Sequence, residues 1–370
     1  MKIWVNDFNS VNTLLIGQIK EMGFLTDNLH DADLIILWND VRGDCERVAR
    51  TAKMLGKEVW VMQHGRGATR DYDKPNNFPM IADKFLCWGP AERRRLTRLG
   101  YGDRAVVVGS PLILYLVPKQ KSQATQVFFS PIIMEKEEPE NLMVYAKIKQ
   151  WESKRLFKRI KKDYVAMKSG WGTKITKFTD QAKTELHQAG KLSLEETPHI
   201  IEYSPYIPHE ALYSDGMLTM APTPMHDHEK YHAMKVVLNQ GLVPQLVGIL
   251  AQTDVVVCIE EGTLALLATA MNIPVLHADV FKYTTYAGTK YDDVELIRTT
   301  ATYRVTNFDA IPEQLDKILE TDHKLIFKQM ERVKVVEDEL GPQYGNPIKN
   351  IMDLINEKVT AQMPVMSGVS

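Results

Sequence analysis

Short runs of consecutive apolar residues alternate along the chain with longer amphipathic segments. The clearest runs in the first third are 32–38 (ADLIILW), 58–62 (EVWVM), 84–88 (KFLCW) and 105–108 (AVVV). Apolar runs without polar alternation are typical of strands that are buried on both faces. Because segments with helical periodicity separate these runs, the pattern predicts α/β structure with parallel sheets and crossover helices.

The same rhythm starts again after a polar, proline-bearing stretch at 118–124, with strands predicted at 127–130, 164–168, 199–203, 254–259 and 274–277. We therefore predict two Rossmann-like domains whose parallel sheets face a central cleft. The predicted boundaries are an N-terminal domain over 1–117, a linker over 118–124, a C-terminal domain over 125–340 with an irregular excursion over 204–231, and a C-terminal helix and tail over 341–370. We expect this last segment to pack back on the N-terminal domain.

Composition narrows the class of protein. The chain has 370 residues, of which 44% are hydrophobic and 25% charged, which excludes disordered and collagen-like classes. The net charge of −2 argues against a generically basic nucleic-acid binder. Three scattered cysteines do not form a disulfide framework. The N-terminus turns polar early, and the longest apolar stretch, 106–117, is interrupted, so neither a signal peptide nor a membrane span is predicted, and we expect a cytoplasmic protein.

The first candidate motif, Gln63-His64-Gly65-Arg66, directly follows the predicted strand 58–62. Loops at the carboxyl ends of parallel strands form the ligand crevice of open α/β sheets. Glycine permits close approach of the backbone to a ligand, and a histidine with a pKa of about 6.5 can act as a general base. The alternative is that His64 only caps the local turn.

Two further motifs lie at strand ends in the second half. Ser130 ends the strand 127–130, where a serine can donate to a phosphate or cap the next helix. The stretch Glu260-Glu261-Gly262-Thr263 joins a buried strand to an apolar helix, whose N-terminal N–H groups suit a diphosphate. The glutamates can accept hydrogen bonds from ribose hydroxyls. The alternative is an N-cap threonine preceded by solvated glutamates.

A histidine cluster and a basic helix admit several readings. His226 and His228 lie in the proline-rich excursion, where substrate or acceptor contact, metal binding and a solvated loop remain open, and we assign no metal site. The predicted helix 154–162 carries six basic residues on one face, so an anionic acceptor, a membrane surface or nucleic acid can bind there. A solvated face is the alternative.

Taken together, these motifs resemble the glycosyltransferase-B (GT-B) fold. The resemblance is nearest the branch that holds CDP-glycerol glycerophosphotransferases, surface-carbohydrate biosynthesis proteins and UDP-N-acetylglucosamine 2-epimerase-like proteins. It rests on the strand ending in Gln63-His64-Gly65, on Val108-Gly109-Ser110-Pro111, and on 253–257 (TDVVV), Glu261-Gly262-Thr263 and 273–275 (IPV).

By this resemblance, His64 would be the acid/base residue that faces the acceptor. Ser130, Lys168, Gly262 and Thr263 would hold the donor diphosphate, and Glu260 or Glu261 would contact the nucleotide. Gln63, Gly65, Arg66, His226 and His228 would lie on the acceptor side. The chain departs from the branch's serine-rich turn at 260–263, lacks the acidic residue in the following helix, and reduces the basic-His-Pro motif to Lys168-Ser169-Gly170.

The resemblance implies a metal-independent glycosyltransferase that needs no cofactor beyond a nucleotide-sugar co-substrate such as a UDP-sugar. It would move the sugar to a hydroxyl of an acceptor glycan or another anionic acceptor, including a hydroxymethylated DNA base. Two alternatives stay open: a nucleotide-sugar 2-epimerase, which needs no acceptor, and a non-catalytic relative that binds nucleotide or glycan.

Overall fold

The computed structural model describes most of the first sheet, the core of the second and the C-terminal helices. The described residues are 1–6, 10–41, 43–65, 72, 79–120, 126–130, 143–144, 146–148, 150–151, 199–202, 247–248, 250–258, 262–279 and 300–362. Among them no helix is long and apolar enough to cross a bilayer.

Two five-stranded parallel sheets form the framework. The first contains β1 (Ile3–Val5), β2 (Leu34–Leu37), β3 (Glu58–Met62), β4 (Lys84–Cys87) and β5 (Ala105–Val107). The second contains β6 (Gln126–Ser130), β7 (His199–Glu202), β8 (Val255–Cys258), β9 (Val275–Ala278) and β10 (Tyr303–Val305). Every residue of β2, β8 and β9 is buried, as the unbroken apolar runs of β2 and β8 predict, and β9 buries His277 as well.

The described residues include seven α-helices with defined bounds. They are α1 (Ser10–Glu21), α2 (Gly43–Met54), α3 (Pro90–Arg98), α4 (Thr263–Ala270), α5 (Ile311–Thr321), α6 (Ile326–Glu339) and α7 (Pro347–Gln362). The sequence prediction matches strands β2 to β9 within two residues at each end. It misses β10 and the bridge formed by Leu25, which pairs in parallel with Ile3. The predicted strand 164–168 and the excursion 204–231 lie outside the described residues.

In the first sheet, the order in which strands are added along the chain changes side at β1. The strand order is β1-β2-β3-β4-β5, and Leu25 pairs with Ile3 on the side of β1 away from β2. Consistent with this change of side, α1 packs Leu15 and Ile19 on one face of the sheet, whereas α2 packs Ala49 and Ala52 on the other. The carboxyl ends of β1 and β2 therefore mark a topological switch point, where open α/β sheets bind ligands.

The second sheet has the strand order β10-β9-β8-β6-β7, so strands are added on both sides of β6 in the same way. Strand β6 lies between β7 and β8, so its switch point is at the carboxyl ends of β6 and β8. There Ser130 pairs in register with Cys258. The GT-B arrangement of two Rossmann-like domains predicted from the sequence is thus the observed fold.

Helix α6 contacts both halves of the chain, packing on α4 and on α3. Its last turn meets the start of α3 so closely that a Cβ on Gly89 would lie 2.2 Å from the Asp338 carbonyl oxygen. Arg95 of α3 forms an ion pair with Glu339 at 2.6 Å. Because a buried charge needs a partner, this pair fixes where α6 lies on α3.

After α6 the chain runs back to the first sheet. Gly341 takes a left-handed conformation, with a φ of 64°, beside Trp88, and the Ser110 N–H donates to the Leu340 carbonyl at 2.8 Å. Helix α7 then packs against α1, and its Asn350 side chain donates to the Val108 carbonyl at 2.9 Å. The domain boundaries drawn from the sequence stay predictions.

Candidate functional site

The loop after β3 is fixed from beneath by Gln63. Its side chain is fully buried, where Oε1 accepts a hydrogen bond from the Trp88 N–H at 2.6 Å and Nε2 donates to the Gly65 carbonyl at 3.1 Å. Both ends of the amide are thus used inside the protein. We assign Gln63 a positioning role for the residue between these contacts, His64, and its predicted acceptor contact stays a prediction.

His64 is oriented by a neighbouring strand end. Its Nδ1 lies 2.9 Å from the Trp38 carbonyl oxygen, directly after β2. Because a carbonyl can only accept, Nδ1 carries the proton, and the lone pair of the neutral ring is on Nε2. The Trp38 ring packs edge-on against the imidazole, with centroids 5.1 Å apart at 83°. The half-buried imidazole is therefore held in the tautomer that a general base needs.

Asp40, which the sequence analysis does not single out, anchors the same region. Its fully buried carboxylate accepts hydrogen bonds from the Ile81 and Ala82 N–H groups, at 2.7 and 2.6 Å, and from the Tyr72 hydroxyl at 2.6 Å. Burial raises its pKa, and these hydrogen bonds oppose that rise. Asp40 thereby ties the end of β2 to the chain on either side of 73–78. The sequence around Asn39-Asp40 has no local pattern that predicts these distant hydrogen-bond partners.

On the second sheet, the site is formed by the start of α4. Gly262 is the N-cap residue, with extended backbone, and the helix that follows is buried from Leu264 to Thr269. The first N–H groups of a helix have no intrahelical acceptor, and the helix dipole adds positive potential there. The backbone of Ser130, at the end of β6, lies across the sheet from Cys258, which is four residues before Gly262. These are the elements that the resemblance assigns to the donor.

The two candidate motifs meet at Gly65 and Thr263. A Cβ built on Gly65 would lie 3.3 Å from the Thr263 side-chain oxygen, which is closer than ordinary van der Waals contact. The loop that carries His64 therefore touches the N-terminus of α4. Residues that are about 200 positions apart in the sequence share one site because the carboxyl edges of both sheets point into the same space.

A pair of side chains that sequence reasoning does not single out lies at the end of β8. Cys258 Sγ is 3.2 Å from Nδ1 of His277, and the two residues are register partners on β8 and β9. Both side chains are buried. The contact therefore joins the end of β8 to β9 inside the sheet.

Several predicted site residues lie outside the described part of the chain. They are Arg66, Lys168, His226, His228, Glu260 and Glu261, together with the basic segment 154–162. Within the described ranges, no three His, Cys, Asp or Glu side chains are grouped as metal ligands.

No family model and no curated protein matches the chain. Solved structures do resemble it. The wall teichoic acid polymerase TagF has a TM-score of 0.50 and 9% identity, covering 98% of this chain and 90% of its own. The S. aureus MnaA–UDP structure has a TM-score of 0.49 and 11% identity, with 95% and 80% coverage. UDP-GlcNAc 2-epimerase from Neisseria meningitidis, bound to UDP-GlcNAc, has a TM-score of 0.41 and 10% identity, with 95% and 83% coverage.

The chain thus has the fold of TagF, which is the GT-B fold that the sequence resemblance predicts. At these identities the likeness concerns the fold.

Proposed function

We propose that the chain is a metal-independent glycosyltransferase that moves a sugar from a nucleotide-sugar donor to an acceptor hydroxyl. The observation that carries the proposal is the contact between the His64 loop and the N-terminus of α4, at Gly65 and Thr263. It brings a histidine oriented as a base to the place where a helix N-terminus can hold a diphosphate.

On the acceptor side, Nε2 of His64 takes the proton of the acceptor hydroxyl while the hydroxyl oxygen forms a bond to the anomeric carbon of the donor sugar. The Trp38 carbonyl, 2.9 Å from Nδ1, stabilises the resulting imidazolium through the Nδ1 hydrogen bond. Gln63 prevents the loop from moving by joining it to Trp88. A base fixed in this way loses little entropy on reaching the reactive geometry.

On the donor side, the bond between the anomeric carbon and the diphosphate oxygen breaks, and the nucleoside diphosphate leaves with the electron pair. The N–H groups at the start of α4 would stabilise the developing negative charge in the role that a metal plays elsewhere. Ser130 and Thr263 would add hydroxyl donors. Lys168, Glu260 and Glu261 keep the donor roles that the resemblance gives them.

The proposal is further supported by the fold, since a protein named as a polymerase, TagF, has the same architecture. The acceptor is proposed as a glycan or another anionic molecule on the basis of the basic segment 154–162 in the sequence.

The test has two stages. Thermal unfolding is first measured with sugars linked to UDP, GDP, CDP, ADP and TDP. A ligand present at a free concentration of about 100 times its Kd raises the free energy of unfolding by about 2.7 kcal/mol. The stabilising donor is then incubated with and without a panel of glycan acceptors. We expect product only when an acceptor is present.

Three results would overturn the proposal. Epimerisation of the donor without an acceptor would support a 2-epimerase. Donor binding without turnover on any acceptor would support a non-catalytic binding protein. The absence of any stabilising nucleotide would remove the donor site itself.

A further inference from the structure

The outer face of helix α6 carries an apolar stripe. Ile326, Phe327, Met330 and Val333 are between 53% and 69% exposed, although a protein surface of this kind normally places charged side chains on the solvent face of a helix. At 100° per residue the four side chains lie within an arc of about 120°. The opposite face, with Arg332 and Val335, is buried. A grouped apolar patch of this kind is typical of an interaction site.

Opposite charges lie at the two ends of the stripe. Exposed His323 and Lys324 precede the stripe, and exposed Glu337 follows it. Lys324 ends the 3-10 turn Asp322–Lys324 just before α6, and Glu337 lies in the last turn of α6, so the stripe has a basic end, an apolar centre and an acidic end. The helix dipole favours the same arrangement between antiparallel helices.

We propose that the stripe is a self-complementary interface at which two copies of the chain pair through antiparallel α6 helices. A two-fold axis near Met330 would place Met330 against its own copy. It would also place the basic end of each helix beside Glu337 of the partner copy. A two-fold interface requires this kind of self-complementarity.

A lipid surface fits the stripe less well. Helices that bind anionic membranes have basic residues flanking their apolar face. Here Lys334 is already paired with Glu331 at 2.6 Å, and Glu337 would lie against the headgroups. The exposed charges around the stripe nearly cancel, which favours pairing with a second copy over attraction to a negative surface.

The size of the stripe predicts a reversible dimer. Helix α6 has 14 residues and a length of about 21 Å. Four side chains on such a helix bury less than the ~800 Å² per partner of a standard interface. We therefore expect a dimer in about the micromolar range, whose formation depends on protein concentration.

Sedimentation velocity over about a 100-fold range of protein concentration tests the pairing. We expect Met330→Glu to leave a folded monomer, since the residue is exposed and its loss does not disturb the core. Met54→Glu, on α2, is the matched control because Met54 is 88% exposed but lies away from the stripe. It should dimerise as the unchanged protein does.

Two further variants test the antiparallel geometry. Lys324→Glu should weaken the dimer about 3-fold or more, and adding Glu337→Lys should restore it, because each swap reverses one end of the complementary pair. Met330→Cys should form a disulfide-linked dimer under mild oxidation, since the three native cysteines are buried. Met54→Cys should remain uncrosslinked.

A monomer at every concentration would overturn the proposal. If that monomer binds vesicles containing phosphatidylglycerol, and Met330→Glu abolishes the binding, the stripe is a lipid-binding surface. If it does not bind vesicles, the stripe is covered neither by a second copy nor by lipid. A dimer unaffected by Met330→Glu, or a charge swap without restoration, would also refute the antiparallel pairing.

Discussion

The two facing edges of the cleft are held in different ways. On the first sheet, side chains hold the loop: Gln63 bridges Trp88 and Gly65, and the Trp38 carbonyl orients His64. On the second sheet, the described part of the edge presents the backbone of Gly262 at the start of a buried helix.

This difference corresponds to two kinds of chemistry. A proton acceptor must have one tautomer and one orientation, which only specific side-chain contacts provide. A diphosphate needs several N–H donors and positive potential, which a helix N-terminus provides without particular side chains. Substitutions on the first edge should therefore lower turnover, whereas substitutions on the second should weaken donor binding.

The largest expected effect is that of His64→Ala. If His64 is the base, turnover should fall about 100-fold or more, while donor binding measured by thermal shift stays close to its original value. His30→Ala is the matched control, because His30 is an exposed histidine of the same half. Near-normal turnover of His64→Ala would show that His64 only caps the turn.

The strands and most helices of this comparison are predictable from the sequence, whereas the support of the site is not. Buried runs such as Leu34–Leu37 identify themselves because every residue is apolar. The contacts of Gln63 with Trp88 and of Asp40 with Ala82 join residues 25 and 42 positions apart. Their partners are determined by the packing of neighbouring strands, and no local spacing encodes them.

The same reasoning explains what the sequence analysis misses in the fold. Strand β10, Tyr303–Val305, has three residues with an exposed arginine at the centre, too short a pattern to distinguish from a loop. Leu25 pairs with Ile3 as a single bridge, so it leaves no apolar run. The contact between Gly65 and Thr263 could not be predicted from the sequence, because it depends on how the two sheets lie relative to each other.

A second prediction concerns Gln63, the support of the first edge. Gln63→Leu leaves the Trp88 N–H and the Gly65 carbonyl without their side-chain partner, which should cost about 1–3 kcal/mol of unfolding free energy. Turnover should fall about 10-fold, because His64 is no longer fixed, with little change in donor affinity. Urea unfolding and a comparison of kcat with KM measure both effects.

Gln18→Leu provides the control, since Gln18 is exposed on α1. Unchanged turnover in a destabilised Gln63→Leu protein would reduce Gln63 to a purely structural residue. A selective rise in donor KM would instead assign it to the binding side and contradict the division between the edges.

A third prediction tests the contact across the cleft. Gly65→Ala introduces a Cβ 3.3 Å from the Thr263 side-chain oxygen, so one edge must shift by a few tenths of an ångström. Although Gly65 lies on the first edge, the added Cβ pushes against the N-terminus of α4 on the second edge, so we expect the donor KM to rise about 3-fold. In a double-mutant cycle, Thr263→Ala should relieve part of this effect by removing the oxygen, so the two substitutions should not be additive.

Gly17→Ala is the control for this cycle. No atom lies within 4 Å of a Cβ at Gly17, and alanine favours the helix in which it lies. Strict additivity of Gly65→Ala and Thr263→Ala would show that the two edges do not touch while the enzyme works.

The smallest expected effect lies at the opposite end of β3, where Glu58 forms an ion pair with Lys358 of α7. Burial alone would raise the pKa of Glu58, but hydrogen bonds from Lys358 and Trp60 and nearby lysine charges lower it. A lowered carboxyl pKa stabilises the fold above the unfolded value of 4.5, and this stability is lost as the pH falls through the folded pKa.

Glu58→Gln should therefore cost up to about 1 kcal/mol at pH 7, since solvent screens this partly exposed pair, and the difference from the unchanged protein should shrink as the pH falls below the unfolded value and through the lower folded pKa. Urea unfolding over this pH range measures it, and Asp353→Asn, which breaks an exposed pair on the same helix, should change stability less. Because Glu58 is at the far end of the strand, kcat should stay unchanged. A loss of turnover equal to that of Gln63→Leu would mean that the whole strand, rather than the edge at His64, positions the base.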